Sequence, residues 1–131
     1  EIQSGFLSIK LEVLDDITNH KRVLAKLYLD NLDDKFIKPV VDKDYFDVYH
    51  IFNVRCKNRD FLKSYLLDNG IKTEIHYPLA PCKQKSMGKF ISGNYPISQE
   101  IHSTTLSLPI SYFHTTDNVL EVCRVMNEWL K

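Results

Sequence analysis

The chain has 131 residues, 44% of them hydrophobic, and seventeen basic side chains balance seventeen acidic ones. That length supports one core, and zero net charge without a basic stripe excludes the electrostatic footprint of a nucleic-acid binder. Apolar runs are short and broken by charge, which excludes a membrane-spanning helix.

The three cysteines, Cys56, Cys82 and Cys123, are scattered and odd in number. This argues against a secreted disulfide framework and for a reducing, cytoplasmic setting. No CxxC or HxxxH pair occurs, so no metal site is expected.

Residues 1 to about 32 read as one long amphipathic helix. Leu7, Leu11, Leu14, Ile17, Leu24, Leu27 and Tyr28 recur at three- and four-residue steps between charges. No N-cap precedes the pattern and the first residue is Glu1, so a piece of something longer is expected. Asp33-Asp34 breaks the helix, and Phe36–Val41 reads as a short strand interrupted by Pro39. After a polar loop, Tyr49–Cys56 is the best central strand, with His50, Phe52, Val54 and Cys56 on one face. That parity makes His50 a buried structural residue or a hydrogen-bonding one. Asn58 is placed to cap the next helix, whose buried stripe is Phe61, Leu62, Tyr65 and Leu66. Asn69-Gly70 ends it, the glycine supplying a left-handed turn.

The chain is organised around Ile71–Gln84. Ile71, Thr73, Ile75 and Tyr77 alternate with Lys72, Glu74 and His76, as in a strand. Pro78 and Pro81 then stop any ladder, because neither has an amide hydrogen to donate. His76 and Tyr77 thus sit where a strand runs into a stiffened loop, a place suited to presenting side chains to a ligand. From the residues alone, His76 is either such a contact or a hydrogen-bonded structural histidine. Alternation puts Tyr77 with Ile75 on the packed face.

Lys83–Asn94 reads as loop with one helical turn, and Ser98 as the cap of a short helix with Ile101 on its inner face. Leu106–Ile110 alternates as a short strand, edge-like because of Pro109. Thr115-Thr116-Asp117 offers N-caps for the last helix, whose core stripe is Val119, Val122, Cys123, Met126, Trp129 and Leu130. The expected fold is α+β: a small antiparallel sheet of about three strands with helices packed on one side, led by the long first helix.

The wording of three stretches adds to this reading. Ile75-His76-Tyr77-Pro78, Pro81 and Cys82-Lys83-Gln84 resemble the Ile-His-Tyr-Pro, Pro, His-x-Gln loop of the DegT/DnrJ/EryC1/StrS family. Glu1 to Leu11 is similar to that family's Glu-Leu-Gln-Ala-Ala-Phe-Leu-x-Val-Lys-Leu helix, with Ser4-Gly5 where Ala-Ala is usual. Tyr95-Pro96 and Leu106-Ser107-Leu108-Pro109-Ile110-Ser111 resemble its ending.

The resemblance implies residues 1–33 as an interdomain helix leaving a large pyridoxal phosphate (PLP)-binding domain, and 34–131 as the small C-terminal domain. It implies a homodimeric aminotransferase moving an amino group from glutamate to a nucleotide-linked keto sugar for polysaccharide or glycoconjugate synthesis. Closest in wording is the dTDP-3-oxo-6-deoxyhexose branch. His76 and Tyr77 match positions facing the nucleotide sugar; Cys82 stands where a second histidine is frequent, Gln84 ends the loop, and His50 lies toward the domain interface.

The Schiff-base lysine, the acidic partner of the pyridine nitrogen and the phosphate donors belong to the large domain. The chain alone is therefore expected neither to bind PLP nor to transaminate, and no catalytic residue is assigned in it. Two alternatives stay open: a PLP sugar dehydratase of the same family, and a non-catalytic binding module. An exposed apolar stripe on the first helix would favour self-association.

Overall fold

The computed structural model describes residues 2–129; Glu1 of the helix motif and Leu130 of the last stripe lie outside them. The single long helix of the sequence reading is two: α1 (Ile2–Glu12) and α2 (Leu14–Asn31). Val13 leaves the helical region, with φ −112° and ψ 11°, and its N–H reaches back only to Lys10 O. Asp15 and Asp16 directly after the break suit the positive end of a new helix. α1 buries nothing: Phe6, Leu7, Ile9 and Leu11 are exposed, so the predicted packing stripe begins only with Leu24, Ala25 and Tyr28 of α2.

β1 (Phe52–Arg55) pairs antiparallel with β2 (Thr105–Leu108), in the register Phe52 with Leu108, Asn53 with Ser107, Val54 with Leu106 and Arg55 with Thr105. A single bridge flanks each strand, Ile37 to Arg55 on one side and Glu74 to Ser107 on the other. The expected three strands are thus two, widened by one paired residue at each edge. β2 is central rather than an edge, and all four of its residues are buried. Pro109 follows the last paired residue, so its missing N–H removes no ladder bond. The strand predicted for Tyr49–Cys56 starts only at Phe52, because Tyr49 is left-handed (φ 45°) with its N–H on Asp47 Oδ1 at 2.8 Å.

Register decides the faces. Phe52, Val54, Leu106 and Leu108 turn inward and are almost fully buried, each contributing about 1.5–3 kcal/mol relative to exposure. Tyr28 of α2 stacks on Phe52 with centroids 4.9 Å apart and donates its hydroxyl to Pro109 O at 2.8 Å. Helix α3 (Arg59–Asp68) adds Leu62 and Leu66; Phe61, expected in that stripe, is 76% exposed. Asn58 holds the N-cap position, but its side chain makes no cap bond. Gly70 (φ 77°) closes a Schellman turn, with Gly70 N on Leu67 O and Ile71 N on Leu66 O.

Helix α4 (Pro96–Thr104) starts with its proline in the first turn, so Ser98 lies inside it rather than capping it, and Ile101 is 40% exposed rather than inward. The Arg55–Glu100 ion pair ties α4 to β1. In α5 (Thr116–Trp129), Thr115 and Asn118 exchange side-chain-to-backbone hydrogen bonds at 3.2 and 3.0 Å, as a helix start requires. Its buried stripe holds the predicted Val119, Val122, Cys123 and Met126, plus Val125. No helix among the described residues is long and apolar enough to cross a membrane.

Candidate functional site

The face of the sheet opposite the helices is polar, because the same register that turns Phe52 and Leu108 inward turns Asn53 and Ser107 outward together. Glu74 bridges to Ser107 by two backbone bonds, Glu74 N to Ser107 O at 3.2 Å and Ser107 N to Glu74 O at 2.8 Å. Lys72, Glu74 and His76 share that side, as their alternation predicts. They come from a segment that is extended but paired at Glu74 alone.

A row of side chains crosses three adjacent chain segments here. His76 Nδ1 lies 2.7 Å from Ser107 Oγ, and the Ser107 hydroxyl donates to Asn53 Oδ1 at 2.5 Å. The row borders a cleft of about 270 Å³ lined by His50, Ile51, Lys72, Glu74, His76 and Ser107, with Leu108, Pro109 and Ile110 along one wall. His50 is exposed rather than buried, contrary to its strand parity, because the strand begins two residues later. Its carbonyl accepts from Lys21 Nζ at 3.2 Å.

The other anticipated residues lie beyond this cleft. Tyr77 does not pack beside Ile75: its backbone is left-handed (φ 60°) and its side chain is 76% exposed. A bulky residue held this way costs about 1–2 kcal/mol. His102 of α4 donates Nδ1–H to Tyr77 O at 2.5 Å, fixing the corner. The loop beyond winds through short 3₁₀ turns at Pro81–Lys83 and Lys85–Met87. Cys82 is half-buried with a free thiol, and Gln84 folds back to Leu79 O at 3.4 Å. The geometry thus joins His76 and His50 at one cleft and leaves Tyr77, Cys82 and Gln84 along the adjoining loop. Asn53, Ser107 and His102 escaped the sequence reading. Their polar positions in or beside strands were visible, but only the register shows whom they meet.

A larger hollow of about 640 Å³ lies beside α5, and most of its polar side chains bond within the fold. His114 bonds to Ser111, Asn118 to Thr115, and Glu121 to Arg124, which holds the Glu121 carboxyl below its usual range. Among the described residues no group of three or more histidines, cysteines or carboxylates is arranged to hold a metal.

PLP does not fit the cleft. None of the residues lining it belongs to a helix, so no helix N-terminus is available for a phosphate. Its lysine, Lys72, is exposed beside Glu74 rather than desolvated as a Schiff-base amine requires.

Comparison with known proteins identifies this architecture. The model of the DegT/DnrJ/EryC1/StrS aminotransferase family matches residues 1–127. The chain belongs to that family. It is 40% identical over 130 residues to the dTDP-3-amino-3,6-dideoxy-alpha-D-galactopyranose transaminase of Aneurinibacillus thermoaerophilus, covering 98% of this chain and 36% of that protein. It is 33% identical to the dTDP-3-amino-3,4,6-trideoxy-alpha-D-glucose transaminase of Streptomyces venezuelae, covering 98% of this chain and 35% of that one.

Among solved structures, DesV of S. venezuelae superimposes with a TM-score of 0.92 at 31% identity, over 98% of this chain and 36% of DesV. A DegT DnrJ EryC1 StrS aminotransferase from Brucella abortus gives 0.90 at 26% identity, over 98% and 35%. The chain spans about a third of the length of these family members and matches their small domain.

Proposed function

We propose that this chain is the substrate-side domain of a PLP-dependent aminotransferase that moves an amino group from glutamate to a nucleotide-linked keto sugar, a dTDP-3-oxo-6-deoxyhexose. The observation that carries the reading is the open polar face of the sheet, where His76 is held by Ser107 at the mouth of a cleft just before the Tyr77–Gln84 loop. An imidazole presented this way suits hydrogen bonding to a polyhydroxylated substrate. The two transaminases named above act on dTDP-linked amino sugars, which supports that substrate class.

In this proposal residues 1–33 lead out of a large domain, which covers the apolar side of α1. That domain holds the cofactor; PLP, when bound there, carries the amino group between the two half-reactions. His76, with Tyr77 and the loop bearing Cys82 and Gln84, orients the sugar nucleotide and keeps water from it. His50 borders the approach. The intact protein works as a homodimer in the cytoplasm, and its product enters polysaccharide or glycoconjugate synthesis.

The test is an absorbance titration of the full-length protein reconstituted with PLP. Adding glutamate is expected to convert the cofactor to its pyridoxamine form, and a keto-sugar nucleotide to restore the starting spectrum. A cofactor spectrum indifferent to every amino donor would overturn the amino-transfer reading.

A further inference from the structure

Resting on His76 as a sugar-nucleotide contact, we infer that Asn53 and Ser107 are positioning residues that fix the proton of neutral His76 on Nδ1. His76 then meets the substrate as a hydrogen-bond acceptor through Nε2.

The direction of each bond decides where that proton sits. A serine hydroxyl has one hydrogen to give. Ser107 gives it to Asn53 Oδ1 at 2.5 Å. Its oxygen, 2.7 Å from His76 Nδ1, is left only lone pairs to offer, so Nδ1 must carry the hydrogen. Nε2 then has a lone pair and no hydrogen-bond partner among the described residues.

The row is stiff for reasons visible in the backbone. Asn53 and Ser107 are register partners, Ser107 is only 3% exposed, and Glu74, two residues before His76, is bonded to Ser107 on both its N–H and its carbonyl. Free neutral histidine favours the opposite tautomer, with hydrogen on Nε2; the row reverses that preference. A second-hand contact of this kind, orienting one ring nitrogen by bonding the other, is a general way of setting what a histidine offers.

The consequence is a choice of ligand group. An unprotonated Nε2 accepts from a hydroxyl or an amine but repels a phosphate oxygen. His76 therefore reads a sugar hydroxyl, or the amino group of the product, rather than the diphosphate.

The test uses the full-length enzyme with ¹⁵N-labelled histidine, at a pH where free histidine is neutral. The His76 signal is assigned by its loss in His76→Gln. The wild type is expected to show a protonated Nδ1 and a bare Nε2. In Asn53→Ala the serine hydroxyl loses its acceptor and turns to Nδ1, so the hydrogen is expected on Nε2. This exposed position removes little packing and guards against Ser107→Ala simply disturbing the buried strand. Both variants are expected to raise KM for the sugar nucleotide roughly five-fold, the worth of one ordinary hydrogen bond, with KM for glutamate unchanged.

A wild-type Nε2–H signal, or a tautomer indifferent to both substitutions, overturns the inference. The underlying reading fails separately: if the tautomer is as inferred but His76→Ala leaves sugar-nucleotide KM untouched, the row stands and the contact does not.

Discussion

The two faces of the β1–β2 ribbon differ in chemistry though they are built from the same eight residues. Phe52, Val54, Leu106 and Leu108 meet Tyr28 and the helix layer and are almost fully buried. One residue out of phase, Ser107 bonds instead to Asn53 and His76, and Arg55 to Glu100 and Thr104, while the backbone carbonyl of Thr105 accepts from Arg59. A period of two therefore separates the packed side of the ribbon from its hydrogen-bonded polar side. The second face is not simply solvent-facing. Ser107 is as buried as Leu108, and its hydroxyl is tolerated there because both of its partners are in place.

The comparison breaks most visibly from the apolar side. Phe52→Ala removes the ring that Tyr28 stacks on and is expected to cost about 3–5 kcal/mol, read as a lower denaturant midpoint at unchanged slope.

A second effect is alkaline. Burial pushes the Cys123 thiol from its ordinary 9.0 up to about 12, and raises the Tyr28 phenol as well. Both groups are neutral when protonated, so folding favours the protonated form. Stability is expected to be full below the unfolded-state values and to fall as pH rises through the window from about 9 to about 12. Cys123→Ala is expected to lower stability throughout while making this fall shallower, measured by melts across that range.

A smaller effect runs the other way. Thr73 is 6% exposed and its hydroxyl has no hydrogen-bond partner among the described residues, so the near-isosteric Thr73→Val is expected to stabilise by about 1 kcal/mol. The smallest stability change is expected for His102→Ala, which removes one bond to an exposed corner. Its readout is faster amide exchange of Tyr77 and its neighbours.

Much of this was legible in the sequence, unevenly. The α5 stripe, the Gly70 turn and the polar side shared by Lys72, Glu74 and His76 follow from local periodicity and glycine chemistry. The errors arise where the chain departs from its period. Val13 splits a helix whose apolar spacing runs on, and the left-handed backbones at Tyr49 and Tyr77 shift His50 and Tyr77 out of phase with their strands.

Neither tyrosine announces a positive φ as a glycine does. The motif wording singled out the family, but gave no sign that Ser107 and Asn53 meet. Their meeting depends on a register between segments 54 residues apart, which no local pattern encodes.

The most direct measurement follows the two half-reactions separately in full-length wild type and His76→Ala, by single-turnover absorbance of the cofactor. The expected result is an amino-donor half-reaction unchanged within about two-fold and a sugar-nucleotide half-reaction slowed about ten-fold or more at subsaturating substrate. Equal losses in both half-reactions, or no loss in either, would contradict the placement of the sugar nucleotide on this polar face.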